Sequence, residues 1–358
     1  MAHLRSLIQT EVSEAEKVAE RSRSISGVGS VIWLLTYKCN LDCIHCYQRG
    51  SSSEEIMTED ALKIIEKLER AGRPLTFISG GEPMLREDLI QLLEELDDRG
   101  FRVILSTNGT LITDVLAVRL SELVNNVALP LYGPEDFHDT LTRTRGSYRK
   151  VLRVLDSLKG STGLTLKSVI TRSSVKHLNH LIELASKYEV GTLYLCDLLP
   201  NQEMNGEVLN KAEWRRLIDE LIRILFDAGI EIDLGLHPSA VIYALMRLGY
   251  SVYEIREKLR DRRLSREGMG FFSLAPNGDV LVSNYTPDLK MGNLIKEELG
   301  ELLRKELYLK LGDSKSIRGK CSTCPLLDAC GGSRVKAYFY GGDVLGEDPT
   351  CLLRDLLA

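Results

Sequence analysis

The sequence predicts an α/β fold, a partial (βα)6 TIM-like barrel followed by a small C-terminal domain. From Val31 to about residue 200, short β-branched runs alternate with stretches of helical periodicity, as parallel βαβ units require. The pattern then changes, and "FFSLAPNGDVLVSNY" predicts a hairpin that turns at Asn277 and Gly278. Four units are predicted: an N-terminal helical extension (1–30), the barrel (31–235), a helical connection (236–265) and a cysteine-containing domain (266–358).

Six strands are predicted in order, each separated from the next by a helix. The first strand runs from Val31 to Thr36, and the helix "TEDALKIIEKLERAG" after it repeats apolar residues every three or four positions. A further helix, Ala212 to Ala228, precedes another β-branched run, "IEIDLGLHP". The second to sixth predicted strands are, in order, "PLTFIS", "FRVILST", "NNVALPLYG", "LTLKSVIT" and "GTLYLCDLLP".

Composition excludes several classes of function. The formal net charge is −5, and no run of Lys and Arg is long enough to follow a phosphate backbone, so no nucleic-acid partner is expected. The N-terminus is charged and lacks the apolar core of a signal peptide. No apolar segment of the sequence is long enough to span a bilayer. A cytoplasmic protein without a membrane partner is predicted.

Seven of the eight cysteines fall into two groups. In a reducing compartment clustered thiols indicate metal ligands rather than disulfides. The first group, Cys39, Cys43 and Cys46 in "CNLDCIHCY", follows the first strand directly. A zinc site would need His45 as a fourth ligand. An iron-sulfur cube held by three thiolates keeps one iron open to another ligand, which makes it a site for chemistry.

Other polar motifs also follow predicted strands, at the end where parallel barrels bind their ligands. "SGGEP" follows the second strand, "STNG" the third, "LYGPEDFHD" the fourth, and Thr171 with Arg172 the fifth. The three thiols together with Gly80-Gly81-Glu82-Pro83 resemble the radical S-adenosylmethionine (radical SAM) superfamily, and the resemblance extends from Val31 to the end of the chain.

The resemblance implies a specific cofactor site. Cys39, Cys43 and Cys46 would hold a [4Fe–4S] cluster whose open iron is chelated by the amino and carboxylate groups of S-adenosylmethionine. Transfer of one electron then yields methionine and a 5′-deoxyadenosyl radical, which abstracts hydrogen from a substrate. Cofactor contacts are expected from Gly80, Gly81, Glu82, Ser106 and Asn108. Thr142 stands where relatives often place an arginine for the carboxylate, so the candidates for that role are Arg143, Arg145 and Arg172.

The second group reads C-x2-C-x5-C with a fourth cysteine twenty residues further on. It resembles the auxiliary-cluster domains called SPASM or twitch, with a zinc ribbon as the alternative. Ser283 and Ser333 stand where a full SPASM domain has cysteines, so one auxiliary [4Fe–4S] cluster is expected. Its ligands would be Cys321, Cys324, Cys330 and Cys351.

The segment "CGGSRVKAYFYGGDVLGEDPTC" is similar to radical SAM enzymes of alternative haem and haem d1 synthesis. We therefore expect an oxidoreductase or lyase that modifies acid side chains of a tetrapyrrole and takes electrons from a reduced ferredoxin or flavodoxin. The alternatives are a maturase of ribosomally made peptides and, from another class, a zinc-stapled binding or regulatory protein.

Several single residues have two interpretations. Arg334 and Lys336 are either contacts for substrate carboxylates or a solvated basic edge. His237 is either a proton donor or substrate contact, or a turn histidine without a catalytic part. Asp197 either points into the active site or caps a loop, and Cys196 is either a functional thiol or a small buried side chain.

Overall fold

The computed structural model describes Leu4, Leu7 and residues 14–260 and 262–357. The first described helix, α1, spans Glu14–Ser26, and the rest of the predicted extension before it lies outside the described residues, apart from the two leucines. The Ser26 hydroxyl donates to the carbonyl oxygen of Ala71 at 2.6 Å, which ties α1 to the turn before the second strand.

One ten-stranded sheet organises the described residues, in the order β10-β9-β8-β1-β2-β3-β4-β5-β6-β7. Strands β1 to β7 all pair in parallel, which confirms the predicted α/β class with a mostly parallel sheet. The strands are β1 (Ser30–Leu34), β2 (Leu75–Ser79), β3 (Val103–Ser106), β4 (Asn126–Pro130), β5 (Gly163–Ile170), β6 (Thr192–Asp197), β7 (Glu231–Gly235), β8 (Phe271–Leu274), β9 (Asp279–Leu281) and β10 (Lys290–Asn293).

Helices cover the outer face of the parallel strands. The helix Thr58–Arg70, here α2, buries Ala61, Ile64, Ile65 and Leu68, the apolar positions that its sequence repeats at three- and four-residue spacing. The remaining longer helices are α3 (Leu89–Asp98), α4 (Asp114–Leu123), α5 (Glu135–Thr142), α6 (Ser147–Leu158), α7 (Leu178–Lys187), α8 (Lys211–Ala228), α9 (Pro238–Arg247), α10 (Val252–Lys258), α11 (Glu306–Gly312) and α12 (Arg334–Gly341).

The predicted hairpin is present, and β8 and β9 pair in antiparallel fashion around the turn at Asn277 and Gly278. Gly278 adopts φ +80°, a conformation that suits glycine. Strand β8 also pairs in parallel with β1, so the C-terminal segment extends the barrel sheet. Sequence patterning did not indicate this pairing, because it joins strands about 240 residues apart.

The predicted connection contains α9 and α10, which lie between β7 and the hairpin. Among the described helices, none combines the length and the apolar character needed to cross a bilayer. The loops at the carboxyl ends of β1 to β6 meet at one end of the barrel, where polar side chains from different strands come together.

Candidate active site

The first cysteine group lines a cavity at the carboxyl end of the barrel. Cys39, Cys43 and Cys46 lie on the loop after β1, and the cavity has a volume of about 190 Å³. Its walls come from several strand ends and from the loop after β9, where the Tyr285 ring lies 4.2 Å from that of Tyr47. The loop after β9 therefore packs against the cysteine loop.

Burial raises the pKa of all three thiols of this group. Burial and the neighbouring sulfurs of Cys46 and Cys39 raise the pKa of Cys43 to about 12. Among the described residues, no three His, Cys, Asp or Glu side chains converge on a single ion-sized point. A [4Fe–4S] cube needs no such convergence, because each thiolate binds a different iron. The donor set therefore fits the cube, whose positive irons would offset the repulsion among the thiolates.

The Gly-Gly-Glu turn after β2 packs against the segment that leads into Cys39. The Gly81 and Glu82 amides donate to the carbonyl oxygens of Thr36 and Lys38, both at 2.8 Å. A Cβ on Gly80 or Gly81 would overlap those same carbonyl oxygens. The glycines are thus required for close backbone packing, as well as being suited to ligand approach.

Glu82 joins two strand ends. Its side chain is fully buried and accepts hydrogen bonds from the Met84 amide at 3.0 Å, the Thr107 hydroxyl at 2.7 Å and the Asn108 amide at 2.6 Å. Burial raises the pKa of the Glu82 carboxyl, and these donors oppose that effect. Glu82 thereby fixes the loop after β3, which carries Asn108 towards Asn40 on the cysteine loop.

The three arginines predicted for the cofactor carboxylate lie elsewhere. Arg143 pairs with Asp42 and Glu203, and Arg172 pairs with Glu213 at 3.0 Å. Arg145 is exposed and, with Arg143, lines a separate outer cleft. The structure brings Gly81, Ser106 and Asn108 to the cysteine cavity, but not these arginines. Instead, Lys167 on β5, which was not among the predicted site residues, is the Lys or Arg that lines this cavity among the described residues.

Two histidines pack around Tyr132 beside the cysteine loop. The Tyr132 hydroxyl and His45 Nε2 share a hydrogen bond of 2.8 Å, and the ring of His138 stacks on Tyr132 with centroids 5.3 Å apart. His138 is 1% exposed, and burial lowers its pKa to about 4.

His138 should make folding sensitive to acid. Its pKa in the unfolded chain is about 6.5, so the unfolded state takes up the proton first as the pH falls. Neutral His138 makes its full contribution to the free energy of unfolding above about pH 6.5. This contribution is lost as the pH falls towards 4, and the total loss is on the order of 3 kcal/mol. Urea unfolding at several pH values should show a shallower loss of stability in His138→Phe than in wild type. The same dependence of the unfolding free energy on pH in wild type and His138→Phe would contradict this role.

The second cysteine group lines a cavity of about 290 Å³, and all four thiols, Ser239 and Asp348 are among its lining residues. The amides of Asp348 and Leu353 donate to the sulfurs of Cys321 and Cys351, both at 3.4 Å. Four thiols with such donors fit a closed [4Fe–4S] cluster. Ser333 caps α12, accepting from the Lys336 amide at 3.3 Å, which accounts physically for a serine at this position.

Arg334 and Lys336 are fully buried, so neither forms a solvated edge. The Lys336 ammonium pairs with the buried Asp197 at the end of β6 and donates to the Thr350 hydroxyl at 3.1 Å. Arg334 donates to the carbonyl oxygens of Val344 and Gly346 at 3.1 and 2.7 Å. Lys336 thus joins the second cysteine domain to Asp197, which lines the first cavity.

His237 lies close to this ion pair but does not line the cysteine cavity. It is fully buried at the start of α9, with Nε2 3.9 Å from Asp197 and Nδ1 3.2 Å from the Ser239 hydroxyl. Burial and the charge of Lys336 lower the pKa of His237 well below its usual value, which keeps the ring neutral. Cys196 lines the cavity as a buried thiol 3.6 Å from the Tyr285 hydroxyl.

A family model and several relatives match this chain. The radical SAM superfamily model matches residues 33–172. The AdoMet-dependent heme synthase of Methanosarcina barkeri is 26% identical over 336 residues, which cover 90% of this chain and 96% of that protein. The mycofactocin maturase MftC of Mycolicibacterium smegmatis is 28% identical over 358 residues, covering 96% of this chain and 88% of the relative.

A solved structure shares the fold. Streptococcus suis SuiB, crystallised with its precursor peptide SuiA, superposes with a TM-score of 0.74 at 17% identity, covering 94% of this chain and 79% of that one. The matched segment begins within β1, carries Cys39, Cys43 and Cys46, and ends at Arg172, directly after β5. The chain therefore contains a radical SAM domain, formed by residues 33–172.

Proposed function

We propose that this enzyme is an oxidoreductase or lyase that removes or oxidises acid side chains of a tetrapyrrole. The supporting observation is the likeness to the heme synthase, which extends over 90% of the chain and therefore well beyond the domain of residues 33–172. When bound, S-adenosylmethionine and two [4Fe–4S] clusters would supply the hydrogen-abstracting radical and an acceptor for the electron left over. Loss of one hydrogen atom, carbon dioxide and one electron would convert a propionate to a vinyl group.

Each of the two cysteine cavities would hold one of the two clusters. Cys39, Cys43 and Cys46 would hold the cluster that binds S-adenosylmethionine, and Gly80, Gly81, Glu82, Ser106 and Asn108 would shape its binding site. Cys321, Cys324, Cys330 and Cys351 would hold the auxiliary cluster. Residues 31–235 would act as the catalytic unit and 266–358 as the auxiliary-cluster unit, with reduced ferredoxin or flavodoxin as the cytoplasmic donor.

Peptide maturation is the second candidate, favoured by the 28% identity to MftC over 96% of the chain. One assay distinguishes the two candidate functions, on anaerobically reconstituted enzyme with S-adenosylmethionine and reductant. We expect an iron-bound propionate porphyrin to stimulate 5′-deoxyadenosine formation and to lose carbon dioxide, as followed by mass spectrometry. Stimulation only by a short peptide encoded beside the gene would overturn the tetrapyrrole proposal and support the maturase.

A further inference from the structure

Lys167 projects into the barrel at the junction of two cavities. Strand β5 alternates buried and partly exposed residues, and Thr165, Lys167 and Val169 form its inward row. Lys167 lines both the cysteine cavity and a deeper cavity of about 340 Å³ inside the barrel. Its partial exposure is therefore to these cavities, where a bound molecule would meet it.

No acidic side chain in the described part of the chain pairs with the Lys167 ammonium. Its ammonium donates to the Ser106 hydroxyl at 2.8 Å and forms no ion pair within 4.0 Å among the described residues. Three N–H donors are available on an ammonium group, so the serine leaves others unused. Burial lowers the pKa of Lys167, as expected for a charge that is desolvated without a counter-ion.

Other charged side chains around the cysteine cavity do not supply that counter-ion. Asp197 lines the same cavity, but its carboxylate is engaged by Lys336. The neighbouring Cys196 thiol is buried, and burial raises its pKa, so it stays neutral near pH 7. A buried cation is costly unless an anion pairs with it. The site therefore suits a ligand that brings its own negative charge.

We propose that Lys167, held by Ser106, binds a carboxylate of a ligand inside the barrel. Two sources share this chemistry: the methionine carboxylate of S-adenosylmethionine and an acid side chain of the substrate. The second source rests on the tetrapyrrole function proposed above, whereas the first does not. With the first source, Lys167 takes the part for which the sequence suggested Arg143, Arg145 or Arg172.

The test uses reconstituted wild type, Lys167→Met and Lys167→Gln, with Lys150→Met as a control for an exposed lysine. Equilibrium dialysis compares S-adenosylmethionine with its decarboxylated analogue, and an absorbance titration compares a propionate porphyrin with its methyl ester. The carboxylate-bearing form of one pair should lose about tenfold to a hundredfold in affinity in both Lys167 variants. The form without a carboxylate and the Lys150→Met variant should change little.

The arm that responds identifies the source of the carboxylate. If wild type binds no porphyrin, the tetrapyrrole function fails while the dialysis arm still tests Lys167. The proposal is overturned if wild type does not distinguish either pair, or if the Lys167 variants keep wild-type discrimination. It is also overturned if the variants lose cluster iron, since Lys167 would then serve the cluster rather than a carboxylate. Use of two neutral variants guards against a folding defect peculiar to one of them.

Discussion

Replacing Cys39, Cys43 and Cys46 together by alanine is expected to remove about half of the bound iron and sulfide, because one of two cubes loses its thiolates. The same variant should show no 5′-deoxyadenosine formation and no change in the electron paramagnetic resonance signal when S-adenosylmethionine is added. Anaerobic iron and sulfide analysis, spectroscopy and product detection on reconstituted protein provide the measurements.

Two further variants make this result specific. Alanine at Cys321, Cys324, Cys330 and Cys351 should remove the other half of the iron but preserve the signal change caused by S-adenosylmethionine. Cys196→Ala should keep all the iron, because this thiol belongs to neither of the two predicted ligand groups. Zinc in the wild-type protein, or one cluster that does not respond to S-adenosylmethionine, would refute the two-cluster arrangement.

The Lys336→Met substitution is expected to lower the free energy of unfolding by about 3–5 kcal/mol, the usual cost of leaving one partner of a buried ion pair alone. Lys336 and Asp197 are 0% and 4% exposed, so water cannot replace the lost ammonium. Urea unfolding of reconstituted protein measures the effect. Lys315→Met, at an exposed lysine, should stay within about 0.5 kcal/mol of wild type.

The defect of Lys336→Met should depend on pH. Burial raises the pKa of Asp197, and Lys336 opposes this in the wild type, so removing the ammonium raises that pKa further. When the pKa of a carboxyl is higher in the folded state than in the unfolded state, the protonated carboxyl adds to the free energy of unfolding. That contribution is lost as the pH rises through the folded-state pKa. The variant should therefore be less impaired near pH 5 than near pH 8. Adding Asp197→Asn should restore part of the stability at pH 8, and failure to do so would argue against the ion pair.

The amino-acid order alone predicted the alternation of strands and helices, the hairpin at Gly278 and the grouping of seven cysteines. These features are local, since periodicity, turn residues and cysteine spacing each lie within about thirty residues. The motif Gly80-Gly81-Glu82 was also visible. Its packing role was not, because the carbonyl oxygens it contacts belong to residues more than forty positions earlier.

Charged residues were the least predictable part of the site. Arg143 follows a helix and Arg172 follows a strand, as expected, but each pairs with an acidic residue far away in the sequence, and neither lines the cavity. Arg334 and Lys336 were expected to be either substrate contacts or a solvated basic edge, yet the packing of α12 against the barrel buries both. Lys167 could not be predicted from the sequence, because the pattern of a single strand does not show which of its two faces points into the barrel.

The sequence by itself determined the fold class, the two thiol groups and the superfamily, because strand and helix periodicity and cysteine spacing are properties of short segments. Only the tertiary structure decided that β8 continues the sheet beside β1, that Lys336 reaches Asp197 and that Lys167 faces the cysteine cavity. Those arrangements depend on contacts between residues far apart in the chain, whose charges find or lack partners only when the barrel has formed.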